Sequence, residues 1–125
     1  MKLAFLIIFS IASSSAAQAQ AITQKGKVLA TENRMTLYVY DKDTVGKSTC
    51  NGACAENWLP YADKIEAAPP ETAGRKTGWG VIKRDDGKKM FTYDGKPLYL
   101  FKNDKGPGDT AGDGVGGVWH AARMP

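Results

Sequence analysis

The sequence is poor in the residues that most often hold metals or act as nucleophiles. It has one histidine, His120, and two cysteines, Cys50 and Cys54, among 125 residues. Tight zinc or copper sites usually need several histidine or cysteine ligands. There is also no Gly-x-Ser-x-Gly, no phosphate-binding loop and no His-Glu-x-x-His. These absences argue against the common hydrolase and nucleotide-using enzymes, and we expect a non-enzymatic protein without a cofactor.

Long hydrophobic runs are also missing, except at the N-terminus. Lys2 is followed by the apolar run Leu3–Ala12 and then by the small-residue stretch AQAQA at 17–21. This layout is typical of a secretory signal peptide, whereas a membrane-spanning helix needs about 20 apolar residues. We therefore expect a signal peptide over residues 1–21. The mature chain is then a bacterial periplasmic or secreted protein with no transmembrane anchor after signal cleavage.

Neither sign of charge dominates any segment of the chain. The net charge is +4, but acidic and basic residues alternate in YDKD, IKRDDGKK and FKNDKG. Proteins that bind nucleic acid or membranes usually present blocks or stripes of basic residues. We therefore expect an ordinary solvated surface and no nucleic-acid partner. The slight basicity is compatible with loose contact with anionic components of the cell envelope.

Two-residue turn signals separate the apolar segments of the second half. Asp86-Gly87 divides WGVIKR from KKMFTY, and Asp94-Gly95 divides KKMFTY from KPLYLF. Asp-Gly favours a type I′ turn, because both central residues of such a turn take positive φ. The pattern predicts a three-stranded meander over residues 79–102. In the first half, GKVLAT and MTLYVYD predict another hairpin around the loop ENR.

The two halves repeat each other at a shift of 61 residues. Equivalent pairs include Leu37 and Leu98, Tyr38 and Tyr99, Tyr40 and Phe101, Asp43 and Asp104, Thr49 and Thr110, and Trp58 and Trp119. A fixed shift indicates duplicated structural units. Because one hairpin cannot bury its own apolar face, we expect the two hairpin-plus-loop units to pair face to face in one antiparallel all-β domain.

This duplication predicts the organisation of the mature chain, residues 22–125, as a single domain. Repeat one covers about 26–61, a connector about 62–78, and repeat two about 79–122. Helical structure should be limited to short turns near ADKIEAA and CAENW.

Both repeats carry the pattern Tyr-x-aromatic-x-x-Asp. It reads Tyr38-x-Tyr40-x-x-Asp43 in repeat one and Tyr99-x-Phe101-x-x-Asp104 in repeat two, and Trp58 or Trp119 follows each Gly-containing loop. This motif resembles that of a family of secreted repeats of unknown function, often described as predicted lipoproteins. The resemblance implies an exported domain of duplicated repeats with no assigned activity. No cysteine lies near the expected cleavage site, so a lipid tether is not expected here.

We expect Cys50 and Cys54 to form a disulfide, since oxidising compartments favour the pairing of cysteines close in sequence. Redox dithiols are more typically Cys-x-x-Cys. Repeat two has Ala111 and Val115 at the equivalent positions, so the loop can be built without sulfur. A periplasmic redox or metal-handling protein that uses this cysteine pair is an alternative function.

Four aspartates in the two loops are candidate cation ligands: Asp43, Asp104, Asp109 and Asp113. Ca²⁺ takes about six to eight oxygen ligands, but the spacing lacks the closing glutamate of an EF-hand. Such residues more often cap turns by hydrogen bonds to the backbone. A Ca²⁺-dependent adhesion module is therefore a second alternative. The leading hypothesis is a non-catalytic binding or structural module of the cell envelope.

Overall fold

A computed structural model of the chain describes residues 27–67 and 75–124. The expected signal peptide and part of the connector lie outside these ranges. The strands are β1 (Tyr38–Tyr40), β2 (Trp58–Pro60), β3 (Trp79–Lys83), β4 (Lys89–Tyr93), β5 (Lys96–Pro97), β6 (Tyr99–Phe101) and β7 (Trp119–Ala121). Helix α1 spans Ala53–Asn57, and short 3₁₀ turns span Ile65–Ala67 and Val115–Gly117. The predicted all-β class with only short helical turns is confirmed.

The strands form two antiparallel sheets, and the repeats are interleaved in the larger one. Its strand order is β2-β6-β1-β7, while the smaller sheet has the order β3-β4-β5. Strand β1 of repeat one pairs on both edges with strands of repeat two, and β6 of repeat two pairs on both edges with strands of repeat one. The repeats therefore share one sheet instead of packing face to face as expected.

The register of the four-stranded sheet reproduces the internal duplication. Tyr38 lies directly opposite its own counterpart, Tyr99. Trp58 lies opposite Phe101, and the equivalent pair, Trp119 and Tyr40, lie opposite each other on the far side. The sheet thus has an approximate two-fold axis that passes between the two tyrosines.

The expected meander over residues 79–102 is divided between the two sheets. Strands β3 and β4 pair over their whole length, and β5 continues the same sheet. Leu98, which is fully buried, interrupts the third segment, and β6 joins the four-stranded sheet instead. The backbone of Leu98 donates to the Phe91 carbonyl and accepts from the Tyr61 N–H. This short segment therefore ties the two sheets together.

The two Asp-Gly turns differ in conformation. Asp94 and Gly95 have φ of 53° and 81°, as a type I′ turn requires. At Asp86-Gly87 only Gly87 has positive φ, at 84°, so the predicted type I′ turn is wrong there. The reason is a longer loop, closed by the Arg84 N–H on the Lys88 carbonyl. In repeat one, a single bridge between Ala30 and Thr36 closes the turn at ENR.

Both faces of the four-stranded sheet are covered, because successive strand residues point to opposite sides. One buried cluster contains Tyr38, Cys50, Trp58, Ile82, Met90, Tyr99, Trp119 and Ala121. The other contains Leu29, Leu37, Leu98 and Ala122. Within residues 27–67 and 75–124, none of the helices has the length and apolar character needed to cross a membrane.

Candidate functional site

The motif tyrosine of each repeat hydrogen bonds to the motif aspartate of the other repeat. Tyr38 Oη donates to Asp104 Oδ2 over 2.6 Å, and Tyr99 Oη donates to Asp43 Oδ2 over 2.6 Å. Both tyrosines are fully buried, and Asp104 is 8% exposed. The two phenols therefore join repeat one to repeat two on either side of the two-fold axis.

The second oxygen of each motif aspartate organises the loop that follows it. Asp43 Oδ1 accepts from the backbone N–H of Thr49 over 2.7 Å and from its hydroxyl over 2.8 Å. Asp104 Oδ1 accepts from the Ala111 N–H over 2.9 Å. Each motif carboxylate is thus shared between a loop of its own repeat and a tyrosine of the other.

The two remaining cation candidates also accept backbone hydrogen bonds. Asp109 Oδ2 accepts from the N–H groups of Lys105 and Gly106, at 2.8 and 3.0 Å. Asp113 Oδ1 accepts from the Ala121 N–H at 3.0 Å. Among the residues that the structure describes, no group of three or more histidine, cysteine, aspartate or glutamate side chains could hold a metal ion. The Asp109 bonds are local, as in a carboxylate that caps a turn, whereas the Asp113 bond reaches strand β7.

The environment of the two motif phenols keeps them protonated. Burial raises the pKa of Tyr38 and of Tyr99, and their hydrogen bonds to Asp104 and Asp43 raise it further. Loss of either proton would place a buried phenolate against a carboxylate. Both hydroxyls therefore act as neutral donors at physiological pH and not as bases or nucleophiles.

The aromatic residues of the two motifs form one continuous stack. Its order is Tyr40, Trp119, Trp58 and Phe101, with ring centroids 4.2, 3.8 and 4.1 Å apart. Tyr38 meets Trp58 edge-on at 5.4 Å, and Tyr99 meets Trp119 edge-on at 5.1 Å. Both tryptophans of the stack are 5% exposed. The two tryptophans are enclosed within this stack, whereas Tyr40 and Phe101 at its ends are partly buried.

Cys50 and Cys54 form the expected disulfide. The bond joins Cys50, three residues before the start of helix α1 at Ala53, to Cys54 within the helix, and Cys50 is fully buried. Both cysteines belong to the cluster around the stacked tryptophans.

A buried arginine that the repeated motif does not include lies against residues 48–51. The Arg84 side chain is 2% exposed. Its Nη1 donates to Ser48 Oγ over 2.9 Å, and its Nη2 donates to the Cys50 carbonyl over 3.0 Å. Because Ser48 Oγ lies 2.6 Å from Tyr99 Oη, the guanidinium is linked to the motif of repeat two. Strand alternation is the one sequence signal, since Arg84 follows the buried Ile82 by two residues.

His120 lies on β7 and pairs with an aspartate at the surface. Its Nε2 is 2.9 Å from Asp41 Oδ2, and the two side chains are 43% and 53% exposed. A catalytic dyad with His120 would need a nucleophile, but the Ser48 hydroxyl is 1% exposed and is hydrogen bonded to Arg84 and Tyr99. The structure therefore does not bring these two groups together.

The third tryptophan has the opposite environment from the stacked pair. Trp79 is 47% exposed, and it stands at the edge of a groove of about 380 Å³ that also contains Tyr61 and Phe91. We refer to these three side chains as the aromatic groove. With the 61-residue shift Trp79 falls on Gln18, before repeat one begins, so the internal repeat gives no signal for it.

A family model described as a secreted repeat of unknown function matches the chain twice, over residues 20–62 and 80–123. The two matches cover more than half of the chain and fall on the two halves related by the internal shift. They confirm the resemblance carried by the Tyr-x-aromatic-x-x-Asp motif. No curated protein and no solved structure matches the chain.

Proposed function

Since the chain belongs to the family of secreted repeats of unknown function, we propose that it is a non-catalytic module that binds an insoluble polymer of the cell envelope. The observation that supports the non-catalytic part of this proposal is that the motif carboxylates are fully used within the fold. Both oxygens of Asp43 and of Asp104 accept hydrogen bonds from within the fold. The repeated motif residues thus hold the domain together.

The buried and protonated state of the motif tyrosines also argues against a catalytic role for them. The Tyr38 and Tyr99 phenols stay neutral because burial and their aspartate partners raise the pKa of each. A group that is buried and already hydrogen bonded cannot approach a substrate without breaking the core. Recognition of a partner therefore falls to surfaces outside the motif, and the aromatic groove is one such surface.

The disulfide supports a role outside the reducing interior of a cell. Oxidising compartments such as the periplasm allow such bonds to form and persist. Cys50 is buried and its carbonyl accepts from Arg84. This environment favours a stabilising bond over an exchanging one, because reactive disulfides need access for an attacking thiolate.

Sedimentation with envelope material tests the proposal. The purified mature chain is mixed with peptidoglycan sacculi or with vesicles of a neutral phospholipid, and each mixture is centrifuged. We expect saturable co-sedimentation with the sacculi alone. We also expect no release of soluble fragments from the polymer over hours, because the module is non-catalytic. A chain that stays in the supernatant, or a polymer that is progressively degraded, contradicts the proposal.

A further inference from the structure

The aromatic groove presents a fixed and partly open indole. Trp79 begins the β3–β4 ladder opposite Tyr93. Tyr93 and Phe91 contact its ring edge-on, with centroids 5.4 and 6.2 Å away. Edge-on neighbours hold the ring in place, and Trp79 is still 47% exposed. A ring that is already oriented loses little conformational freedom when a ligand stacks on it.

The rest of the groove is built on equally well-fixed backbone. The Tyr61 N–H donates to the Leu98 carbonyl, and the Tyr61 carbonyl accepts from the Phe91 N–H, both at 2.9 Å. The Tyr61 and Phe91 rings lie 5.2 Å apart. The groove volume of about 380 Å³ lies within the about 300–1,000 Å³ of typical small-molecule sites.

The rim of the groove carries charges of both signs. Glu32, Asp63 and Lys64 line it, and Lys64 Nζ lies 3.4 Å from Glu32 Oε1. Two carboxylates and one ammonium group do not suit a phosphate or an anionic lipid surface, since like charges repel. Together they offer acceptors and donors, which is what hydroxyl groups need because each hydroxyl both donates and accepts.

We propose that the aromatic groove binds the uncharged sugar rings of a β-linked oligosaccharide chain. The face of an aromatic ring carries partial negative charge, and the C–H hydrogens of a sugar ring carry partial positive charge. A β-1,4-linked glucose chain holds its hydroxyls at the ring edge and presents C–H hydrogens on both faces. It can therefore lie flat on Trp79 while its hydroxyls meet the rim. This inference rests on the proposed function, for which it names the ligand class and the surface.

Nuclear magnetic resonance provides a direct readout, because the chain has three tryptophans and only Trp79 is exposed. Cellotetraose is titrated into the mature protein while the three indole N–H signals are followed. We expect the Trp79 signal to shift saturably while those of Trp58 and Trp119 stay in place. Maltotetraose, whose α-linkages curve the chain, should bind at least about tenfold more weakly.

Two exposed apolar residues give a matched pair of variants. Trp79→Ala should raise the Kd for cellotetraose at least about tenfold, whereas Leu59→Ala should leave it within about twofold. Leu59 is 45% exposed and lies outside the groove, on β2. Trp79→Phe, which keeps an aromatic face, should bind with intermediate affinity and serves if the alanine variant is poorly folded.

Four results overturn the inference. The first is no Trp79 shift at about 10 mM cellotetraose, which is ten times a Kd of about 1 mM, and the second is an equal loss of affinity in the Trp79→Ala and Leu59→Ala variants. The third is a Trp79 shift when the protein concentration is raised without sugar, which points to a second copy of the chain. The fourth is a Trp79 shift with phosphatidylglycerol vesicles but not with sugar. If the chain co-sediments with sacculi but does not bind cellotetraose, only this inference is contradicted. If the chain binds cellotetraose but does not co-sediment with sacculi, the proposed function is contradicted instead.

Discussion

The hydroxyl of Tyr38 donates a hydrogen bond to the carboxylate of Asp104, which lies 66 residues further along the chain. The same hydroxyl accepts from the Gly112 N–H over 3.2 Å. Tyr38→Phe removes both interactions and leaves a buried carboxylate oxygen without its donor. We expect the free energy of unfolding to fall by about 1–3 kcal/mol, measured by urea denaturation.

Tyr40→Phe is the matched control for this change, because Phe101 occupies the equivalent position in repeat two. It should alter the free energy of unfolding by no more than about 0.5 kcal/mol. Equal losses in the two variants would show that the bond between the repeats adds nothing to stability.

The protonated state of the motif phenols predicts a loss of stability in alkali. Tyr38 and Tyr99 keep their protons in the folded chain because their pKa values are raised, whereas phenols of the unfolded chain ionise near pH 10. The folded state thus binds more protons above that pH, and stability falls by about 1.4 kcal/mol per pH unit for each phenol. Below about pH 10, the ionisation of these phenols should leave the free energy of unfolding unchanged.

Unfolding free energies measured across the alkaline range test this slope. Tyr99→Phe should make it shallower by one phenol's contribution. An absorbance titration in which all five tyrosines ionise together near pH 10 in a folded protein would contradict the prediction.

Close packing at the aromatic stack predicts a large effect from one added methyl group. A Cβ at Gly112 would lie 2.7 Å from Trp58 Cη2 and 3.0 Å from Tyr38 Cε1. Gly112→Ala should therefore reduce stability by about 1–3 kcal/mol, as overpacking does. A Cβ at Gly106 would meet nothing within 4 Å, so Gly106→Ala is the control. Thermal melting of the two variants checks the difference, and equal melting temperatures would argue against tight packing here.

The buried guanidinium of Arg84 should be more important for stability than its charged neighbours. Arg84→Met leaves the Cys50 carbonyl and Ser48 Oγ without their donor, and we expect a loss of about 2–4 kcal/mol. Lys83→Ala, at an exposed neighbouring position, should change stability by less than about 0.5 kcal/mol. Denaturant titration of both variants gives the comparison. If Arg84→Met left the free energy of unfolding unchanged, water would have to replace the guanidinium as the hydrogen-bond donor.

The disulfide should contribute to stability without being essential to the fold. Replacing both Cys50 and Cys54 by alanine should reduce the free energy of unfolding by about 2 kcal/mol, the loop-closure value for so short a segment. The variant should still fold, because Ala111 and Val115 stand at these positions in repeat two. Circular dichroism and melting curves test this. A variant that does not fold, or wild-type protein with free thiols, would contradict the prediction.

The internal repeat made the motif residues identifiable from sequence. The shift that aligns the two halves marks the tyrosines, aspartates and tryptophans that prove to lie in one cluster. It could not show that β1 pairs with β6 and β7, because face-to-face and interleaved repeats bury the same apolar faces. Local patterns predict which segments are strands, whereas the choice of partner depends on contacts between distant parts of the chain.

The buried Arg84 and the aromatic groove around Trp79 could not be identified from the sequence, for a reason that the two residues share. Arginine is mostly exposed in proteins and tryptophan is mostly buried, and here each is found in the other's usual environment. Arg84 stands in a run of charged residues, which is typical of a solvent-exposed segment. Its burial follows from the loop of repeat one that packs over it, and strand alternation alone does not predict such a loop.

The alternating strand order also governs when the domain can fold. Both neighbours of β1 belong to repeat two, and β7 is the last strand of the described chain. Contacts between such distant segments form slowly, because the intervening loop must be closed before they stabilise anything. A nascent chain that ends before β7 cannot complete the four-stranded sheet. Topology alone thus requires both repeats to be synthesised before the four-stranded sheet can be completed.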